Sequence, residues 1–175
     1  DVGFDRSMIC AYGHDDRVCA YPSLTAMIDS TDTLHTSMCL LVDKEETGSD
    51  GVTGMQSSLI VDVIAEIAKA LGGNEAAVRA NSKCLSSDVT ATFDPNYADV
   101  YEHRNSSLLG CGVSICKYTG SGGKGGTSDA SAEMVGWTRR FLNEAGVVWQ
   151  ICELGKTDVG GGGTVAKYMA NHNID

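Results

Sequence analysis

The stretch Ser37-Met38-Cys39-Leu40-Leu41-Val42-Asp43-Lys44-Glu45-Glu46-Thr47-Gly48-Ser49 decides how the rest of the chain is read. Its first half is an apolar run of strand length, and its second half is an acidic pair running into a glycine turn. The pattern predicts a buried strand over 37–43 with Glu45 and Glu46 at its C-terminal end. Open α/β sheets place their sites at that end of their strands. Two adjacent glutamates are usually just a solvated turn, so the residues alone leave both readings open.

Outward from this strand, apolar runs alternate with helical patterns, which predicts an α/β domain. Residues 57–71 place Leu59, Val63, Ile64, Ile67, Ala68 and Leu71 on one helical face, and Gly72-Gly73 ends the pattern. Strands are expected over 83–93, 108–118 and 147–153. A second amphipathic helix is expected over 129–145, capped by Asp129 or Ser131 and stopped at Gly146. A short helix should cover 164–171. Another should lie between Asp15 and Asp29, broken or bent at Pro22. No repeat or linker divides the chain, so one domain over 1–175 is expected. The architecture predicted is a three-layer α/β/α sandwich around a mixed sheet.

Composition narrows the function. Hydrophobic residues make up 42% and charged residues 21%, as in ordinary globular chains. The formal net charge of -10 argues against nucleic acid, whose phosphates need clustered Lys and Arg. Seven cysteines, most within apolar stretches, read as buried thiols of a reducing compartment. No apolar run is long enough to span a membrane and no leader opens the chain, so a soluble, cytoplasmic protein is expected. Both ends read as cuts through something longer.

Two further acidic clusters accompany the glutamate pair. Gly13-His14-Asp15-Asp16-Arg17 precedes a helix and by itself reads as capping by an aspartate. Ser86-Ser87-Asp88-Val89-Thr90 puts an aspartate inside a strand pattern, where it is disfavoured unless a bulge, a strand end or a ligand role explains it. Carboxylates are natural ligands for a pair of divalent cations. One further carboxylate, not bound to metal, is needed to take a proton from an attacking water. Adjacent glutamates can divide these tasks because successive side chains point in different directions.

Four segments in order resemble the aspartyl aminopeptidase and vacuolar aminopeptidase I family of dinuclear zinc peptidases. They are Gly13-His14-Asp15-Asp16, Asp43-Lys44-Glu45-Glu46-Thr47-Gly48-Ser49, Ser87-Asp88 followed by Asp94-Pro95-Asn96-Tyr97, and Gly160-Gly161-Gly162-Gly163-Thr164. The resemblance implies that Asp15 bridges two zinc ions, that Glu46 binds one and Asp88 the other, and that Glu45 is the general base. Asp16 would sit behind them, fixing a neighbouring loop through Arg17. The glycines around Gly161 and Gly162 would let the backbone approach the substrate's main chain, and Lys124 would lie in a loop bordering the substrate. That loop reads equally well as a flexible surface loop. The implied reaction is removal of the N-terminal residue from peptides, and the implied assembly is the family's tetrahedral dodecamer.

The chain also departs from the family. Asp94 and Lys44 stand where members often carry histidine. The family's two histidine ligands have no match, because His14, His35, His103 and His172 fall at other positions. The family's inserted domain is absent as well, so 1–175 is expected to be a partial catalytic domain. An inactive structural domain of the same fold, or a metal hydrolase of another bond, are the alternatives. The Gly122-Gly123-Lys124 run fails the phosphate-loop pattern, since Gly125 stands where Ser or Thr is required. Gly110-Cys111-Gly112 lacks the third glycine of a dinucleotide site.

Overall fold

A computed structural model describes all residues except 33, 120–127, 157, 158 and 160. These residues fall into two units. One comprises Asp1–Leu41 with Ser87–Val89, and the other comprises Val42–Ser86 with Thr90–Asp175.

The first unit is built on helix α1 (His14–Asp29). Asp15 and Asp16 have non-helical backbone angles, so the regular turns begin only at Arg17. The peptide bond between the two aspartates is cis. The break expected at Pro22 does not occur, because the helix runs on through it. Proline costs the helix one backbone bond there without ending it. The Ser23 hydroxyl donates to the Cys19 carbonyl at 2.8 Å in the same turns. No described residue of this unit is fully buried.

The second unit carries the core and the paired strands. Helix α2 (Leu59–Ala70) matches the expected amphipathic pattern, with Ala68 buried. Helix α3 (Glu75–Ala80) was not foreseen. Its Asn74 cap accepts a bond from the Ala77 amide at 3.0 Å, a short signal hidden between two glycines and a strand pattern. Strand β1 (Val113–Cys116) pairs in parallel with strand β4 (Trp149–Cys152), while β2 (Tyr118–Thr119) and β3 (Ser128–Asp129) form a short antiparallel ladder. The fold is therefore α/β with both kinds of strand pairing.

Helix α4 (Ala132–Glu144) is the parallel crossover between β1 and β4. Of the two caps expected, Ser131 is the one used, and its hydroxyl accepts from the Met134 amide at 3.0 Å. Met134, Thr138 and Leu142 follow at four-residue spacing and form its buried row. Asn143 receives a bond from the Trp149 indole at 2.9 Å, tying the helix to β4. Gln150 holds the turn ahead of β1, accepting from the Leu108 amide at 2.9 Å and donating to the Leu108 carbonyl at 3.0 Å. Helix α5 (Ala166–Ala170) buries Met169, which joins Met55, Ala68, Met134, Leu142, Cys152 and Ile174 in the core.

Two expected strands are not formed as read. Residues 37–43 lie in no ladder, and Leu41 is 58% exposed, so this run is not a buried strand here. Residues 83–93 make only isolated pairings among the described residues. The Cys84 amide donates to the Asp175 carbonyl at 2.6 Å, and Thr92 bridges to Ser107. Apolar composition favours a strand, but a neighbour must take its backbone bonds before one exists. Among the described residues, no strand pairs with 37–43.

Candidate metal and catalytic site

In the first unit, Asp15 and Asp88 are brought to the same place. The Ser87–Val89 segment groups with α1 although the chain on either side of it belongs to the other unit. Burial pushes the Cys19 thiol above its usual range, a hydrogen bond with Ser87 opposes this, and the charges of Asp88, Asp16 and Asp15 push it further up. The charges of three carboxylates from two distant segments therefore act on one half-buried thiol. Cys19 is the residue at this place that the sequence did not single out; its only signal is its position one turn after Asp15.

Gly13 shapes the entry to this cluster. Its φ of 64° is left-handed, and an added Cβ would meet Arg17 Nη1 at 2.5 Å. The Arg17 guanidinium donates to the Tyr12 carbonyl at 3.2 Å, so it closes over its own loop. Asp88 Oδ1 accepts from the Val89 amide at 2.7 Å, which fixes the carboxylate against its own backbone.

The glutamate pair lies in the second unit, in a single 3₁₀ turn over Glu45–Thr47. Lys44 before it and Gly48 after it are both left-handed, and the Ser49 amide reaches back to the Lys44 carbonyl at 2.7 Å. Gln56 clasps the turn by donating to the Gly48 carbonyl at 2.7 Å. The Asp43 amide donates to the Thr53 carbonyl at 3.1 Å, closing the base of the loop. Lys44 bonds the Asp43 carboxylate at 2.8 Å and holds it below the usual carboxylate range. Glu45 and Glu46 thus stand exposed on a turn whose backbone is satisfied internally.

Gly161 and Gly162 are among the described residues, and Lys124 lies outside them. A Cβ at Gly162 would come 2.3 Å from Leu154 Cδ2, so a larger residue there would have to displace the end of that side chain. The four histidines are elsewhere employed or placed. His35 bonds Asp32 at 2.7 Å and His103 stacks edge-on to Phe93 at 4.4 Å, while His14 opens α1 and His172 follows α5. Asp94 accepts from the Asn96 amide at 2.8 Å and caps the turn Pro95–Val100. Among the described residues no group of three His, Cys, Asp or Glu side chains could hold a metal ion. The carboxylates fit a divalent cation in chemistry and fall short of it in number.

Comparison with known proteins places this geometry in a family context. The family model described as "Aminopeptidase I zinc metalloprotease (M18)" matches residues 1–175. The chain is 49% identical over 178 residues to a probable M18 family aminopeptidase 1 of Clostridium acetobutylicum, covering 99% of this chain and 38% of that protein. It is 43% identical to the corresponding protein of Thermotoga maritima, covering 100% of this chain and 40% of the other. The crystal structure of aminopeptidase I from Clostridium acetobutylicum superposes with a TM-score of 0.89 at 48% identity, over 100% of this chain and 38% of that one. The dodecameric mApe1 of Saccharomyces cerevisiae superposes at 0.64 with 21% identity, a likeness of fold alone. The chain thus spans about two fifths of the length of the bacterial relatives it matches.

Proposed function

The chain belongs to the M18 family of aminopeptidase I zinc metalloproteases, and from that premise we propose that it forms part of a dizinc aminopeptidase that removes the N-terminal residue of peptides. The observation that supports the site is the convergence of Asp15 and Asp88 from two distant segments near Cys19, since carboxylates so gathered are donors a divalent cation can take. Asp15 would bridge the two ions, with Asp88 on one and Glu46 on the other. Nitrogen donors from elsewhere in a protein of the relatives' length would complete each coordination shell.

Zinc, when bound, would draw charge from the scissile carbonyl and make a water acidic. The work of this chain's own residues lies around that step. Glu45 would accept the water's proton and return it to the departing amine. The backbone at Gly161 and Gly162, together with Lys124, would position the peptide. A homo-oligomer, a dodecamer as in the yeast mApe1 structure, and a cytoplasmic location belong to the same proposal.

The test is made on the full-length protein. Metal analysis should find two zinc ions per chain, and aminoacyl chromogenic substrates should be cleaved in a chelator-sensitive way. Glu45→Gln should lower turnover roughly a hundredfold or more while leaving zinc content unchanged, since only the base is lost. Loss of zinc in that variant would make Glu45 a ligand and reverse the assignment of the pair. Absence of cleavage by the zinc-loaded protein would favour a structural role or a different bond.

A further inference from the structure

Cys116 and Cys152 occupy paired positions at the C-terminal ends of the two parallel strands β1 and β4. Residues paired across neighbouring strands lie about 4.8 Å apart and share a face of the sheet. A disulfide spans Cα separations of roughly 4.4–6.8 Å, so the register of the two strands meets the Cα requirement for a bond between them. Both cysteines are free, Cys152 is 1% exposed, and Cys116 is half-buried, which leaves one sulfur of the pair within reach of a small reagent.

The surroundings of the pair are polar rather than apolar. Ser107, 0% exposed, accepts from the Ser114 hydroxyl at 2.9 Å, and Ser114 lies two residues before Cys116 on the same face of β1. The Cys116 sulfur also lies 3.4 Å from the Tyr118 carbonyl. A buried thiol packed only for volume has no need of hydroxyl neighbours, whereas a sulfur that carries charge does.

We propose that Cys116 and Cys152 are a redox-active dithiol, which a two-electron oxidant of the peroxide class converts into an intramolecular disulfide joining β1 to β4. In this step the two thiols lose two protons and two electrons and form one S–S bond. Hydrogen peroxide takes up both, its O–O bond breaks, and two waters leave. The proton distribution favours the reaction. A hydrogen bond from Cys116, helped by Ser107 and Ser114, holds Cys152 down to about 6 against the effect of burial, while the same bond and burial push Cys116 well up. The two sulfurs thus share a proton between them, and peroxide reaches the pair from the half-buried Cys116 side. The inference uses only β1, β4 and their neighbours and does not depend on the proposed peptidase activity.

The experiment treats the reduced chain with hydrogen peroxide, alkylates the remaining thiols in denaturant, and maps the peptides by mass spectrometry. A linked peptide joining Cys116 to Cys152 is expected, with loss of two hydrogens and recovery of both alkylatable thiols after reduction. The exposed Cys10 and Cys111 serve as internal controls and should not supply the main cross-link. Cys116→Ser and Cys152→Ser should each abolish the link. The mapping of the unsubstituted chain gives the answer even if one variant fails to fold. Full alkylation of both cysteines after oxidation, or an equal yield of the same link from chain oxidised in denaturant, would overturn the proposal.

Discussion

At Asp15 the residue type and the backbone act together. The residue sits where the chain enters α1, and the non-helical angles of Asp15 and Asp16 take both out of the regular turns. No side-chain cap bond forms at this end of the helix, so the capping reading of the cluster loses its support. If Asp15 bridges two cations, Asp15→Asn in the full-length protein should release or loosen both, because a neutral amide is a poor bridge between two positive ions. Two tightly held zinc ions per chain in that variant, measured after dialysis, would remove the bridging role. Glu45 and Glu46 illustrate what a sequence cannot show by itself. Their turn is closed by Lys44, Ser49 and Gln56, and nothing in that closure distinguishes a base from a ligand. The proposed division between them rests on the family motif alone.

Among the elements, those whose pattern depends on the chain's own neighbours were legible, and those that need a distant partner were not. Helix α4 is the clearest success. Its buried row, its Ser131 cap and its end at Gly146 all follow from the expected period and caps. The strand β4 next to it was legible because β1, which pairs with it, is in the same chain. The run over 37–43 is as apolar as β4, yet without a described strand beside it the composition does not produce a ladder. Helix α3 went unread for the opposite reason, since six residues are too few for a period and only the cap of Asn74 marks it. The Ser131 cap gives a test of this local logic. Its hydroxyl accepts from Met134 and also donates to the Asp175 carboxylate at 2.9 Å. Ser131→Ala should therefore destabilise the chain by about 0.5–2 kcal/mol, near the upper end because both bonds are lost. Urea denaturation with an unchanged slope and no shift in midpoint would show that the cap contributes nothing.

At the scale of the molecule, the question is what these 175 residues can do by themselves. Helix α2 leaves Leu59 at 54% exposed and its C-cap Leu71 at 73%, although its pattern is that of a helix covered along a broad apolar face. The proposed metal ligands are as incomplete, for Asp15, Glu46 and Asp88 would give each zinc only one terminal carboxylate and a share of a bridge. Zinc sites normally take at least three protein ligands, with nitrogen or sulfur among them, and carboxylates alone bind more weakly and less selectively. None of the four histidines completes the set, since no three-membered group able to hold a metal occurs among the described residues. The isolated 175-residue chain should therefore bind a hydrophobic dye, hold zinc only weakly, and show no aminopeptidase activity. Titration with zinc followed by a panel of aminoacyl chromogenic substrates tests this directly. Chelator-sensitive turnover by the isolated chain would mean that another of its residues completes the site, and the ligand assignment would then have to be redrawn around that residue.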